Sequence, residues 1–282
     1  MGLPAPPADP ARADRLAHYL LKAVNKANFA YNLLQDGDSV LVAVSGGKDS
    51  LSLLDLLDRY RRIAPQRYTL KAGFVRYDRH CGRAAPEEWL QQWCADRGVP
   101  FFVEELAVQE ELARTHLSPC FRCAWLRRKT LFLLAGRLGC NKLAFGHHAD
   151  DIAETTLLNL FFAARLRPME PRVVMFGGAL TVIRPLALVE ERDIVPFAQA
   201  SGYPLAGEPC PQGLDSRRAL VKRVLRELEG ECHQVKRHIF RAAEHCQRLR
   251  ALVARQGQDP FSGAAGTQEF SGDPAITGSP ED

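Results

Sequence analysis

The stretch from Ser39 to Ile63 constrains the fold more than any other part of the 282-residue chain. Its β-branched apolar run 39–44 predicts a buried strand, and the leucines of 51–63 recur at helical spacing. Between them lies Ser45-Gly46-Gly47-Lys48-Asp49-Ser50. Two adjacent glycines allow positive φ and let backbone N–H groups approach an anion. A strand, a glycine loop and a helix N-terminus in this order predict a phosphate-binding site.

The polar residues of this loop indicate which phosphate chemistry it serves. It lacks the spacing of a Walker A loop and resembles the S-G-G-x-D-S signature of the PP-loop ATP pyrophosphatases, which cleave ATP between its α and β phosphates. Lys48 is expected to offset charge on the α-phosphate and the leaving pyrophosphate, and Ser45 and Ser50 to hold phosphate oxygens. Asp49 is expected to help hold the Mg²⁺ that ATP brings. An ordinary strand-to-helix turn would explain the glycines but not these polar side chains.

The rest of the chain predicts an α/β fold. Short apolar runs bounded by turn residues predict strands at 68–75, 100–106, 142–145 and 180–183. Periodic stretches predict helices at 11–34, 86–97, 124–138, 152–165, 190–200, 214–228 and 231–255. Prolines and glycines between 166 and 179 predict a flexible loop there. Strands alternating with helices favour a doubly wound, mostly parallel sheet of the PP-loop type, with helical additions at both ends.

Composition suggests domain limits and a charged partner. We expect a flexible arm at 1–10, one ATP-binding domain at 11–230, a basic helix at 231–255 and a disordered tail at 256–282. The net charge is +4, but the tail holds five acids and no Lys or Arg, so the remainder carries an excess of nine bases. That excess is compatible with a polyanionic partner. No stretch approaches a membrane span and the N-terminus lacks a signal-peptide pattern, so we expect a cytoplasmic protein with no membrane contact.

A second polar segment, Gly146 to Asp151, follows the strand predicted at 142–145. Carboxyl ends of parallel strands share one edge of a sheet, so we expect Gly146 and His147 to face the ATP site. Asp150 and Asp151 are open to two interpretations. They complete a Mg²⁺ site, with Asp151 the favoured catalytic residue, or Asp150 is the N-cap of the next helix and Asp151 lies in its first turn.

Three of the eight cysteines form the second informative pattern. Cys120 and Cys123 form a C-x-x-C motif, and Cys210 lies far downstream between two prolines. This motif serves zinc, iron–sulfur and redox sites alike, and spacing does not choose among them. The other five lack ligand spacing and are expected to be structural: Cys81, Cys94, Cys140, Cys232 and Cys246.

Basic clusters follow both cysteine segments. One is Arg127-Arg128-Lys129, and the other includes Arg217, Arg218 and Lys222. A solvated face is the alternative, but beside the cysteines we favour contacts to nucleic acid, which position RNA without reading its sequence.

Taken together, these motifs resemble the TtcA family, the tRNA 2-thiocytidine synthetases, from about Ala11 to Arg226. Beyond the phosphate loop, the cysteine pair and the Gly146 segment, the matching residues are Asn159-Leu160-Phe161, Ile183-Arg184-Pro185-Leu186, Asp193-Ile194 and Pro209-Cys210. The resemblance implies a [4Fe–4S] cluster on Cys120, Cys123 and Cys210. It also implies that ATP adenylates the C2 oxygen of cytidine at tRNA position 32, and that sulfur from a cysteine desulfurase then replaces AMP.

Two departures and several alternatives accompany this resemblance. Family members often carry a second C-x-x-C near the third ligand, which Cys210-Pro211-Gln212-Gly213 lacks. The terminal zinc modules of the related 2-thiouridine synthetases are absent too, which favours cytidine as the acceptor. A PP-loop enzyme of the 2-thiouridine or lysidine type remains a rival, as does a zinc-stabilised RNA-binding module with a degenerate nucleotide site. A homodimer is left open.

Overall fold

The computed structural model describes residues 8–78, 84–109, 119–206 and 217–255. The described residues form six strands, which are β1 (Asp38–Val44), β2 (Tyr68–Tyr77), β3 (Phe101–Leu106), β4 (Lys142–Ala144), β5 (Arg172–Met175) and β6 (Leu180–Ile183). They also form eight α-helices, which are α1 (Pro10–Tyr31), α2 (Lys48–Tyr60), α3 (Glu87–Ala95), α4 (Pro119–Arg137), α5 (Ala149–Ala163), α6 (Glu191–Ala200), α7 (Arg217–Glu231) and α8 (Val235–Arg255). None of these helices is long and apolar enough to cross a membrane.

The strands form one sheet in the order β3-β2-β1-β4-β6-β5. Every neighbouring pair is parallel except β5 and β6, which are antiparallel. The predicted α/β class with a mostly parallel sheet is confirmed.

Alternate residues of β1 explain why helices cover both faces of this sheet. Val40, Val42 and Val44 pack into a cluster with apolar side chains of α1, α2, α3 and α6. Leu41 and Ala43 point to the opposite face, where α4 contributes its own buried residues. Since a parallel strand buried on both faces must be apolar throughout, the continuous run 39–44 fits the central strand.

The strand order also fixes where a ligand can bind. The chain runs outward from β1 through β2 to β3, and it returns to the other side of β1 as β4. The sheet therefore has its switch point between β1 and β4, where α/β proteins bind ligands beyond the carboxyl ends of the strands.

Contacts divide the chain into two units. The first contains the sheet with α1 to α4 and α6, and its described parts run up to His148 and from Pro171 to residue 206. The second contains residues 149–170 and 217–255, which form α5, α7 and α8 around Ala153, Leu157, Val221 and Leu225. The boundary expected at residue 230 falls inside this second unit. Residues 1–7 of the predicted arm and the predicted tail lie outside the described residues.

The structure corrects the loop predicted for 166–179, because β5 lies within it. Val173 and Val174 pair with Val182 and Thr181 of β6. A short 3₁₀ turn follows β5, and its Gly177 and Gly178 have φ of 63° and 100°. The prolines and glycines predict a loop, whereas they bracket a four-residue edge strand whose hydrogen-bond partner comes from β6.

Three helices begin earlier than apolar periodicity predicts. Helix α2 begins at Lys48 rather than Leu51, and α4 begins at Pro119 rather than Ala124. Helix α5 begins at Ala149, so both Asp150 and Asp151 lie in its first turn and the N-cap predicted for Asp150 is wrong. The first turn of a helix needs no buried residue, so periodicity does not mark it.

Candidate active site

The phosphate loop connects β1 to α2 and leaves no room for a side chain at Gly46. Its φ is +77°, and a Cβ there would lie 3.0 Å from the Cβ of Ala84 and 3.2 Å from the backbone N of Ala85. The Ala85 N–H donates to the Gly46 carbonyl at 2.9 Å. Glycine is therefore required both by the left-handed backbone and by the close approach of residues 84–85.

The two serines of the loop hold its shape. The Ser45 N–H donates to Ser50 Oγ at 3.1 Å, and Ser50 Oγ donates to the Gly47 carbonyl at 3.0 Å. The Gly47 N–H donates to Ser45 Oγ at 3.3 Å. Ser50 is buried, and its hydroxyl links the backbone of Ser45 to that of Gly47 from beneath the loop. The direct phosphate contacts expected of both serines stay a prediction.

Helix α2 presents its N-terminus at the end of the loop. Gly47 is the N-cap and no side chain caps it, while Lys48, Asp49 and Ser50 form the first turn. The first N–H groups of a helix lack intrahelical acceptors and carry the positive end of the helix dipole. This geometry favours an anion beyond Gly47.

Lys48 lies between two carboxylates. Its Nζ is 2.8 Å from Asp49 Oδ1 and 2.9 Å from Glu191 Oε1. Burial pushes the pKa of Lys48 down, but Asp49 and Glu191 outweigh that effect and raise the net pKa above its usual value. The lysine is thus held as a cation, which a bound polyphosphate needs.

Sequence reasoning missed Glu191. It lies in the first turn of α6, 143 positions from Lys48. Only packing of α6 against α2 brings the two together, and no local motif marks this glutamate.

The end of β4 lies against the same loop. A Cβ on Gly146 would lie 3.0 Å from the carbonyl carbon and oxygen of Asp49 and 3.1 Å from the Ser50 backbone N. His148 is buried, and its Nε2 is 3.7 Å from Asp49 Oδ1. The structure therefore brings the predicted residue Gly146 against the phosphate loop. It also brings His148 of the same polar segment close to Asp49, a contact that the sequence did not predict. His147, the predicted neighbour, packs its ring against Phe145 with centroids 5.6 Å apart and the ring planes tilted by 46°.

Asp151 and Arg218, predicted for catalysis and for RNA contact, are ion-pair partners in the second unit. Arg218 Nη1 is 3.6 Å from Asp151 Oδ1 and 3.7 Å from Glu154 Oε2. Next to them, Lys236 Nζ lies 2.5 Å from Asp150 Oδ1. Basic residues of α7 and α8 thus compensate the acidic first turn of α5. The ATP-site role of Asp151 stays a prediction.

The C-x-x-C motif lies in the first turn of α4. Cys123 is a half-buried free thiol, whereas Cys210 and the side chain of Cys120 lie outside the described residues. Elsewhere, burial raises the pKa of the Cys94 thiol to about 11, and Cys140 is buried. Both fit the structural role expected of them.

The predicted basic residues lie on two helices of different units. On α4, Arg127 and Arg128 are half-buried and Lys129 is exposed. Lys129 lies over the ring of Trp125 at 5.3 Å, and Arg122 lies over the same ring at 4.7 Å. On α7, Arg217 lies over an aromatic ring of its own unit, while Lys222 is half-buried. A binding role for any of these side chains stays a prediction.

Among the described residues, no group of three or more His, Cys, Asp and Glu is arranged to hold a metal. The Mg²⁺ expected beside Asp49 stays a prediction. Magnesium in nucleotide sites usually takes one or two carboxylates and completes its shell with phosphate oxygens and water.

A glycine loop at the switch point, a helix N-terminus and a lysine held as a cation define a nucleotide-binding α/β protein of the PP-loop class. The family model of the PP-loop domain matches residues 16–228, so the chain belongs to that family.

Its relatives place it further, among the tRNA-cytidine(32) 2-sulfurtransferases. The chain is 41% identical over 230 residues to the enzyme of that name from Geobacter sulfurreducens, a match that covers 80% of this chain and 88% of the relative. It is 42% identical over 240 residues to the enzyme from Geobacter metallireducens, covering 83% and 92%. The resemblance stated from the sequence is confirmed.

A solved structure supports the fold. The U34-tRNA thiolase NcsA from Methanococcus maripaludis, determined with its [4Fe–4S] cluster, matches with a TM-score of 0.67 at 23% identity. The match covers 83% of this chain and 79% of that one. At this identity the similarity concerns the fold alone.

Proposed function

We propose that this protein uses ATP to convert cytidine at tRNA position 32 into 2-thiocytidine. The C2 oxygen of cytidine attacks the α-phosphorus of ATP, the bond to the β-phosphate breaks and pyrophosphate leaves. A sulfur nucleophile then attacks C2, the C2–O bond breaks and AMP leaves. The first step is needed because a carbonyl oxygen becomes a good leaving group only as a phosphate ester.

The chain's own residues support the first step. The N-terminus of α2 and the Lys48 ammonium supply positive charge next to the phosphate loop, which would stabilise the negative charge that builds up on the α-phosphate and pyrophosphate. Asp49 lies beside Lys48, so that Asp49 could bind the Mg²⁺ of a phosphate group that Lys48 contacts directly. Gly146 has no side chain, which leaves room for the backbone of the loop at Asp49 and Ser50.

The single observation that carries this proposal is the phosphate loop at the β1–β4 switch point. It is intact in a chain that is 41% identical to a named tRNA-cytidine(32) 2-sulfurtransferase. That combination supports adenylation, and the name of the relatives supports the acceptor.

We propose Cys120, Cys123 and Cys210 as ligands of a [4Fe–4S] cluster. Cys123 fits this role as a free, half-buried thiol in the first turn of α4. When bound, a three-cysteine cluster supplies an iron without a protein ligand, at which sulfur can be held. A cysteine desulfurase remains the expected sulfur donor, a homodimer stays open and the cytoplasm is the expected compartment.

Adenylation is tested with Lys48→Ala. We expect tRNA-dependent release of pyrophosphate to fall by about 10²- to 10³-fold, as when one charge-stabilising donor is removed from an active site. Lys26→Ala, which removes an exposed lysine of α1, is the matched control and should retain activity. Equal activity in the two variants would remove Lys48 from the mechanism.

The acceptor is tested by mass spectrometry of tRNA nucleosides from cells that lack the gene. We expect 2-thiocytidine to disappear and to return with the wild-type gene but not with Cys123→Ser. Loss of 2-thiouridine instead would assign the protein to U34-type chemistry, and unchanged 2-thiocytidine would refute the assignment.

The cluster is tested by visible absorption after anaerobic purification. A brown protein that loses its colour in Cys123→Ser but not in Cys246→Ser supports the three ligands. A colourless protein with stoichiometric zinc contradicts them. Cys246, a half-buried free thiol of α8, supplies the control.

A further inference from the structure

The second unit carries an exposed apolar surface that the adenylation chemistry does not use. Leu160, Phe161 and Phe162, near the end of α5, are 41%, 57% and 43% exposed. Leu220 of α7 is 43% exposed as well. Two of these residues belong to the Asn159-Leu160-Phe161 stretch that supports the family resemblance. Large apolar side chains left in water at consecutive helix positions indicate a binding surface.

Arginines accompany the phenylalanines. The guanidinium carbon of Arg217 lies 5.0 Å from the ring centroid of Phe162, within cation–π distance. Arg165, two residues beyond α5, is exposed. We call Phe161, Phe162, Arg165 and Arg217 the Phe–Arg surface. It offers aromatic faces and positive charge side by side.

The chain after α5 is fixed by its own hydrogen bonds. Ala164 adopts a left-handed φ of 51° that ends the helix. The Arg165 N–H then donates to the Asn159 carbonyl at 2.9 Å, and Asn159 Nδ2 donates to the Arg167 carbonyl at 2.7 Å. Such a preformed surface loses little conformational entropy on binding.

The charge of the unit favours one occupant over the others. The described residues of this unit contain thirteen Lys and Arg against eight Asp and Glu. In a two-fold dimer through this surface, the arginines of one copy would face the same arginines of the other copy. The like charges would repel each other. An apolar partner would remove water from both guanidiniums and would offer them no negative charge in exchange. Unpaired nucleotides satisfy both features, because bases stack on aromatic rings and phosphates pair with arginine.

We propose that the Phe–Arg surface binds unpaired nucleotides of RNA, with bases stacked on Phe161 and Phe162 and a phosphate beside Arg217. The proposal rests on the proposed function for its choice of RNA, since position 32 lies in the unpaired anticodon loop. The stacking itself is argued from the exposed rings and their arginines.

The test is binding of an anticodon stem-loop RNA that carries 2-aminopurine in its loop, titrated at several salt concentrations. For the variant F161A/F162A we expect about tenfold weaker binding for each base that loses its ring, and loss of the fluorescence quenching that stacking causes. The slope of log affinity against log salt should not change. R217Q should instead lower that slope by roughly 0.7 to 0.9 if one phosphate contact is lost.

Two substitutions separate stacking from apolar contact. F161Y/F162Y keeps the aromatic faces and should bind like wild type, whereas F161L/F162L keeps apolar area and should bind like the alanine variant. Leu249→Ala removes an equally exposed apolar residue of α8 and should change nothing. Thermal unfolding of each variant checks that the fold is intact.

Unchanged RNA binding by F161A/F162A, or wild-type binding by F161L/F162L, would overturn the proposal. A dimer that dissociates in the alanine variant while RNA binding persists would assign the surface to a second copy instead. Failure of the proposed function is distinguishable, because it appears as unchanged 2-thiocytidine in cells that lack the gene while phenylalanine-dependent RNA binding by the purified protein is retained.

Discussion

The ammonium group of Lys48 gives a prediction at the scale of single residues. Asp49 and Glu191 compete with phosphate for this cation in the free protein. In Glu191→Gln one competing charge is lost, so we expect the KM for ATP to fall by about two- to fivefold, the range of a partly exposed ion pair. Steady-state kinetics of pyrophosphate release measure it.

Glu190→Gln is the matched control for this change. Glu190 is the N-cap residue of α6 and faces Arg192 at 3.1 Å rather than Lys48. Its KM for ATP should stay at the wild-type value. If Glu191→Gln raises KM instead, the carboxylate positions Lys48 for ATP rather than competing with it.

Residue identities in the loop were predictable, whereas their partners were not. The sequence alone singled out Lys48, Asp49 and Gly146, since each lies at the end of an apolar run. Glu191 acquires its place only through packing and has no pattern of its own, whereas His148 belongs to the polar segment that follows β4. Likewise, the sequence did not indicate that Arg218 of α7 faces Asp151 in the folded unit.

At the scale of elements, Gly146→Ala tests how closely the end of β4 approaches the first turn of α2. The added Cβ would lie 3.0 Å from the Asp49 carbonyl, so the backbone of the loop must move. Since small displacements in an active site are costly, we expect the KM for ATP to rise about tenfold or more.

Gly136→Ala is the control for Gly146→Ala. Gly136 lies on α4 and an added Cβ would contact nothing within 4 Å. Alanine is favoured over glycine in a helix, so stability should rise by about 0.5 to 1 kcal/mol with unchanged kinetics. Equal ATP affinity in both variants would contradict the close approach of Gly146.

A buried ion pair between β1 and β4 gives a pH prediction. Lys142 Nζ lies 3.7 Å from Asp38 Oδ2, and both side chains are buried. Burial lowers the pKa of Lys142 below its usual 10.5, repulsion from Arg172 lowers it further, and Asp38 opposes both. At about pH 7, Lys142→Met should lower the free energy of unfolding by roughly 3–5 kcal/mol, because it leaves the buried Asp38 carboxylate without its cation.

The sign of the pH dependence follows from the lowered pKa. Between that pKa and 10.5 the unfolded chain binds a proton that the folded chain has released. Stability of the wild type therefore rises with pH in this window, and Lys142→Met lacks the gain. Urea unfolding of both proteins from about pH 7 to pH 10.5 measures the difference. If the stability of the wild type relative to Lys142→Met fell as the pH rose, Asp38 rather than burial would dominate the pKa of Lys142.

At the scale of the whole molecule, the two units should be separable in unfolding. All three tryptophans (Trp89, Trp93 and Trp125) belong to the first unit, whereas the described part of the second is helical. Leu157→Ala removes a buried leucine from the small cluster of the second unit and should cost roughly 2–5 kcal/mol. Part of the circular dichroism transition should then move to lower urea while tryptophan fluorescence stays in place.

Leu134→Ala is the matched control in the first unit. Leu134 is buried beneath the sheet on α4, so its loss should shift the fluorescence transition. Coincident shifts of both probes in either variant would show that the two units unfold as one.

The sequence by itself determined the class of fold, the phosphate loop and the family. Each depends on local order along the chain: apolar runs fix strands, adjacent glycines fix the loop, and spaced motifs identify relatives. The tertiary structure decided what depends on packing between distant segments. It placed Glu191 beside Lys48 and grouped α5 with α7 and α8. These outcomes follow from contacts between residues far apart in sequence, which no local pattern encodes.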